Sequence, residues 1–109
     1  MNQVALKGCL TERKPLRYTP AGLPVSEARL AHASEQIEAN KPRQVVCEVG
    51  VIALGEMARW LQGAPIGAQL KVQGFLAAKS QLSKSLVLHV QQIEFLEGIE
   101  NGSLLQKEG

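Results

Sequence analysis

Twelve lysines and arginines carry most of the chemistry this chain can offer. They gather in short stretches: Arg13, Lys14 and Arg17 in one, Lys41 and Arg43 in a second, Lys79 and Lys84 around Ser80-Gln81-Leu82-Ser83 in a third. Arg29 stands apart from all three. Such side chains neutralise phosphates, and a row of them can track a polyanion backbone. Lys and Arg also favour any solvated loop, so the clustering gains weight only if the fold turns these stretches to one face. A single ring, Tyr18, lies among them. Single-strand grooves commonly stack bases on aromatic side chains, each worth about 1–3 kcal/mol. The pattern therefore predicts binding led by charge, with steep salt dependence and little base preference.

Catalysis finds less support. All ten acidic residues are Glu and none is Asp, which removes the usual carboxylate sets for magnesium and calcium. Cys9, Cys47, His32 and His89 are widely spaced and form no CxxC, HxxxH or HExxH pair, so no zinc site is expected. His89 has no Asp or paired nucleophile near it in sequence. We expect a binding protein rather than an enzyme, with no metal and no cofactor. No apolar run approaches the roughly 18 residues of a membrane span. The opening Met-Asn-Gln-Val lacks the basic and apolar regions of a signal peptide, so the expected location is cytoplasmic, with no membrane partner.

The elements that must position these residues follow from apolar periodicity. Residues 4–10 alternate, with Val4, Leu6 and Leu10 on one face, and predict a first strand; Gly8 inside it suggests a bulge or sharp bend. Residues 11–15 read as a polar turn and 20–24, with two Pro and a Gly, as a tight loop. The second strand spans 25–33, with Ala28, Leu30 and His32 inward and Glu27, Arg29 and Ala31 outward. Residues 34–42 are polar without a strand pattern and predict an exposed loop. The third strand, 43–53, is rich in Val and Ile and would point Val45, Cys47, Val49 and Val51 inward. Met57, Trp60 and Leu61 then fall at helical spacing in a short helix over 55–62, with Trp60 expected to plug the core. Residues 69–78 and 86–96 complete a strand pair, joined by a basic loop at 79–84.

Three strands, a short helix and two more strands predict an all-β, five-stranded OB-fold barrel with its helix between strands three and four. One domain over 1–97 and a flexible C-terminal tail over 98–109 are expected. The charges are unevenly placed along the chain. Residues 1–89 hold 11 basic and 6 acidic side chains, a balance of +5, while residues 90–109 hold 1 Lys and 4 Glu, a balance of −3. In such a barrel the three basic stretches and Arg29 fall on or beside the outer face of strands two and three.

The run LKGCLTERKPLRYTPAGLPV resembles the opening of bacterial single-stranded-DNA-binding proteins, through Gly8, Leu10, Leu16-Arg17-Tyr18-Thr19-Pro20 and Gly22. Residues 67–96, with VQGF, LSK and VLHxxQIE, are similar to the primosomal replication protein N (PriB) branch of that family. The likeness covers roughly residues 2–97. It implies a homodimeric protein that binds single-stranded DNA, docks the restart helicase PriA and, in some bacteria, meets a DnaT-like loading protein. The matching positions that would contact DNA are Lys79, Lys84, Arg43 and Arg17 or Tyr18. Lys41 and Val46 stand where the enterobacterial pattern has a Phe and a Trp, and the loop between strands four and five is about two residues shorter. Two readings therefore compete with a restart DNA-binding protein: an adaptor for the helicase with weak DNA binding, and a conventional single-strand-binding protein. For the dimer, an interface using Val4, Leu6, Val72, Phe75 and His89 is expected.

Overall fold

The computed structural model describes residues 1–96. In chain order it has β1 (Val4–Arg13), β2 (Arg17–Tyr18), β3 (Pro24–Glu38), β4 (Lys41–Leu54), α1 (Glu56–Gln62), β5 (Gln69–Ala78) and β6 (Leu86–Leu96). The five long strands close on themselves. β1 pairs antiparallel with β5 over Val4 to Cys9 and then with β3 from Cys9 to Arg13. β3 pairs with β4, and β5 with β6. The ring is completed by a short parallel contact of β4 with β6, Val51 opposite Leu88 and Ile52 opposite His89. This is the expected OB barrel, with α1 between the third and fourth long strands. The C-terminal tail expected over 98–109 lies outside the described residues.

Alternation builds the core. Leu10, Leu30, Leu61, Leu70, Val72 and Leu88 are fully enclosed, each strand sending every second residue inward. At Gly8, where β1 passes from one partner strand to the other, a Cβ would lie 3.0 Å from Leu30 Cβ and 3.1 Å from the Ala31 carbonyl oxygen. The bend comes there without a bulge; the register slips instead between Leu10 and Glu12.

Four sequence expectations are corrected. Residues 34–42 are not a loop: β3 and β4 run on as a two-stranded ribbon and turn at Ala39-Asn40, both at positive φ (52° and 66°). Those are the dihedrals of a two-residue hairpin turn whose twist suits the flanking strands. The segment reads as loop because a ribbon wet on both faces needs no apolar alternation. β1 likewise continues to Arg13 through the stretch expected to turn. Cys47 lies on that ribbon and is exposed, although its alternation with Val49 and Val51 pointed inward. Trp60 is 50% exposed; Ala58 and Leu61 plug the barrel end, since in a helix this short only one narrow stripe reaches the core.

Candidate nucleic-acid interface

A groove of about 650 Å³ crosses the outer faces of β3 and β4 under the loop joining β5 to β6. Strand alternation puts Glu27, Arg29, Glu48 and Gly50 on its floor, while Lys79, Ser83 and Ser85 come from the overhanging loop. A second hollow of about 300 Å³ opens beside it and shares Glu27, Lys79, Ser83 and Val87 with it. Arg17 and His89 belong to that second hollow.

The loop is held by its own serines. Lys79 N–H donates to the Ser85 carbonyl (2.8 Å), and the N–H groups of Leu82 and Ser83 both donate to Ser80 Oγ (3.2 and 3.0 Å). Side-chain acceptors of this sort fix a turn without secondary structure around it. Lys79 is thereby set at the groove wall, and Lys84 stands exposed on the far limb of the loop.

Four of the nine expected binding residues line the two hollows: Lys14, Arg17, Arg29 and Lys79. Arg13 does not join them; its guanidinium donates to the Ala64 carbonyl behind α1. Tyr18 is exposed beside Arg17 at the end of β2 but does not line the groove. Lys41 and Arg43 sit at the ribbon tip, on the face that carries Val45 and Cys47 rather than the groove face, with Arg43 paired to Glu38 at 2.6 Å.

Carboxylates occupy most of the groove cations. Arg17 Nη1 donates to Glu27 Oε2, Lys14 Nζ lies 3.8 Å from Glu27 Oε1, and Arg29 Nε donates to Glu48 Oε1 at 3.2 Å. Partial burial pushes the Glu27 carboxyl up, but the Arg17 hydrogen bond and the charges of Arg17, Lys14 and Lys79 outweigh it and hold the group below its ordinary value. Among the described residues Lys79 is the one groove cation with no carboxylate within 4.0 Å. Strand alternation puts Glu27 and Arg29 on one outward face but gives neither its partner; Arg29 meets Glu48 through the β3–β4 register, and Glu27 meets Arg17 through the pairing of β2 with β3.

The expected interface residues separate. Val4 and Leu6 are half-buried on β1, but Val72 is wholly enclosed in the core and has no surface to offer a second copy. Its inward position follows from the same alternation that seats Leu70. Phe75 and His89 sit opposite each other on β5 and β6, their rings stacked 4.9 Å apart at 5°, and His89 faces the smaller hollow.

A family model described as another single-strand binding protein family matches residues 2–92. The chain is 41% identical to the replication restart protein PriB of Bordetella pertussis, over 90% of this chain and 92% of that protein. The chain belongs to the PriB branch of the single-strand-binding family. PriB of Nitrosomonas europaea is 39% identical over 87% of this chain and 88% of its own length. The solved PriB structure from Ralstonia solanacearum superposes with a TM-score of 0.81 at 36% identity, covering 87% of this chain and 97% of that one. The single-stranded DNA binding protein of Thermus aquaticus superposes at 0.72 with 32% identity, covering 90% of this chain and 51% of that one.

Proposed function

We propose that this chain acts in DNA replication restart by holding single-stranded DNA along the groove beneath the β5–β6 loop. The observation that carries the reading is the meeting of Lys14, Arg17, Arg29 and Lys79 from separate parts of the chain at one concave face. Phosphates would be met by Lys79 first and by the arginines once their carboxylates yield. Titration of labelled oligo-dT at two salt concentrations tests this. The Lys79→Ala/Lys84→Ala pair is expected to weaken binding about tenfold and to flatten the log K against log salt slope by about 1.4, since each single-strand phosphate contact contributes roughly 0.7. Binding that ignores salt, or a double variant that binds as tightly as the parent, counts against it.

The resemblance supports docking of the restart helicase PriA and, downstream, a DnaT-like loading protein. The pairing of three groove cations with Glu27 and Glu48 favours a second reading, in which the barrel mainly serves as the helicase adaptor. A PriA pull-down run beside the titration separates them: an adaptor captures PriA while oligo-dT binding stays weak even at low salt. A homodimer is part of the same proposal. β1 is paired to β3 only from Cys9 onward, leaving Val4 to Gly8 with one unpaired edge among the described residues. Sedimentation at micromolar concentration is expected to give twice the 11.8 kDa chain mass; a monomer rules the dimer out.

A further inference from the structure

Lys7 and Lys71 stand directly opposite each other on β1 and β5, away from the groove. Leu70 and Val72 are wholly enclosed, so alternation turns Lys71 to the outer face of the barrel. Lys7, exposed beside the buried Gly8, shares that face. Like charges directly opposite on neighbouring strands repel and weaken the pairing. Glu94 is the next residue across, opposite Lys71 on β6, yet among the described residues neither lysine has a carboxylate within 4.0 Å. The backbone at Lys7 is held from β3, since His32 Nδ1–H donates to the Lys7 carbonyl at 2.7 Å. The two ammonium groups are thus kept side by side with no ion pair to neutralise them among the described residues. One row along, Ala5, Gln73 and Gln92 line up across the same three strands. They line a hollow of about 610 Å³ together with Gln3, Gln91 and Gly74. The register slip at Gln73 and Gly74 makes Gln91 the extra residue of β6 and brings it to this hollow beside Gln92. Amide side chains both donate and accept, which suits contacts to phosphate and sugar.

This face continues the groove. Gln91 lies two residues along β6 from His89, which lines the smaller hollow with Lys79. From Phe75, opposite His89, to Lys71 is four residues of β5, about 13 Å of strand. That continuity favours a nucleic-acid strand over an acidic peptide as the occupant. We infer that Lys7 and Lys71 form a second phosphate-binding station, with the glutamine hollow carrying the strand between it and the groove. This rests on the single-strand reading above and deepens it: the strand leaves the groove and crosses the outer faces of β6, β5 and β1.

The test uses the full chain and two labelled oligo-dT probes, of about 8 and about 30 nucleotides, since one OB barrel covers roughly 4–16. Lys7→Ala/Lys71→Ala is expected to bind the short probe like the parent. It is expected to bind the long probe about tenfold more weakly and to flatten that probe's salt slope by about 1.4. Lys7→Arg/Lys71→Arg is expected to match the parent on both probes, because charge rather than packing holds the phosphate. If the alanine pair binds the long probe like the parent while Lys79→Ala/Lys84→Ala does not, the second station is wrong and the groove reading stands. If neither double variant weakens either probe, both fall. A changed sedimenting mass in Lys7→Ala/Lys71→Ala, or lost PriA capture with long-probe binding intact, assigns these lysines to protein contact and overturns the inference.

Discussion

Glu27→Gln is expected to tighten oligo-dT binding by roughly tenfold at about 0.1 M salt, and to steepen the salt slope by about 0.7 to 1.4. Glu27 is the central anion of the groove: it accepts from Arg17, lies 3.8 Å from Lys14 and feels the charge of Lys79. A phosphate must displace this carboxylate before it can use Arg17 or Lys14 fully. Glutamine keeps an oxygen for Arg17 to donate to but removes the competing charge. The side chain is isosteric and the ion pairs are partly solvated, so the fold is expected to lose less than about 1 kcal/mol. The opposite result, weaker binding by Glu27→Gln, would mean that the carboxylate orients Arg17 for the strand rather than competing with it.

The same carboxylate has a pH signature with a definite sign. Its folded-state pKa lies below the ordinary 4.5, so its ion pairs stabilise the fold fully above that value. That stabilisation is lost as pH falls through the depressed folded value, where the native state must also take up the proton. Glu27→Gln has no such proton to bind. Denaturation midpoints of parent and variant are therefore expected to converge as pH drops below 4.5, with the parent the more stable of the two near neutrality.

The barrel was legible because its strands are half-buried. Ala28 and Leu30, Val51 and Ala53, Leu70 and Val72, and Leu88 and Val90 are buried two residues apart on their strands, and that period sets element type and inward face. The β3–β4 ribbon is illegible for the converse reason: with Ile37 at 71% and Val46 at 80% exposure on one face, and Arg43 and Cys47 exposed on the other, neither face is buried and periodicity carries no signal. The site was half legible. Charged stretches at 13–17 and 79–84 mark the loops, and loops on an OB barrel converge on one face. Which cations enter the groove depends on the register, and register sends Lys41 and Arg43 to the other face. The stacking of His89 on Phe75 has no sign in the sequence, because it exists only once β5 and β6 are paired.

That pairing supplies the second large effect. Gly74→Ala is expected to destabilise the chain by about 3 kcal/mol, lowering the thermal midpoint by more than about 10 °C. A Cβ at position 74 would lie 1.7 Å from the His89 carbonyl oxygen, 2.8 Å from its carbon and 3.2 Å from Val90 Cα. All three are backbone atoms, so no side chain can rotate away; β5 and β6 must separate. The register already slips between Gln73 and Gly74, which means the strands come this close because residue 74 has no side chain. Both flanks belong to the core, since Val72 and Val90 are buried, and separation there opens the barrel rather than its rim. Gly50→Ala is the matched control: its Cβ would meet only Val87 Cγ1, at 3.8 Å, and its midpoint is expected to stay within a few degrees of the parent. A Gly74→Ala midpoint equally close to the parent would show that β5 and β6 can accommodate the methyl.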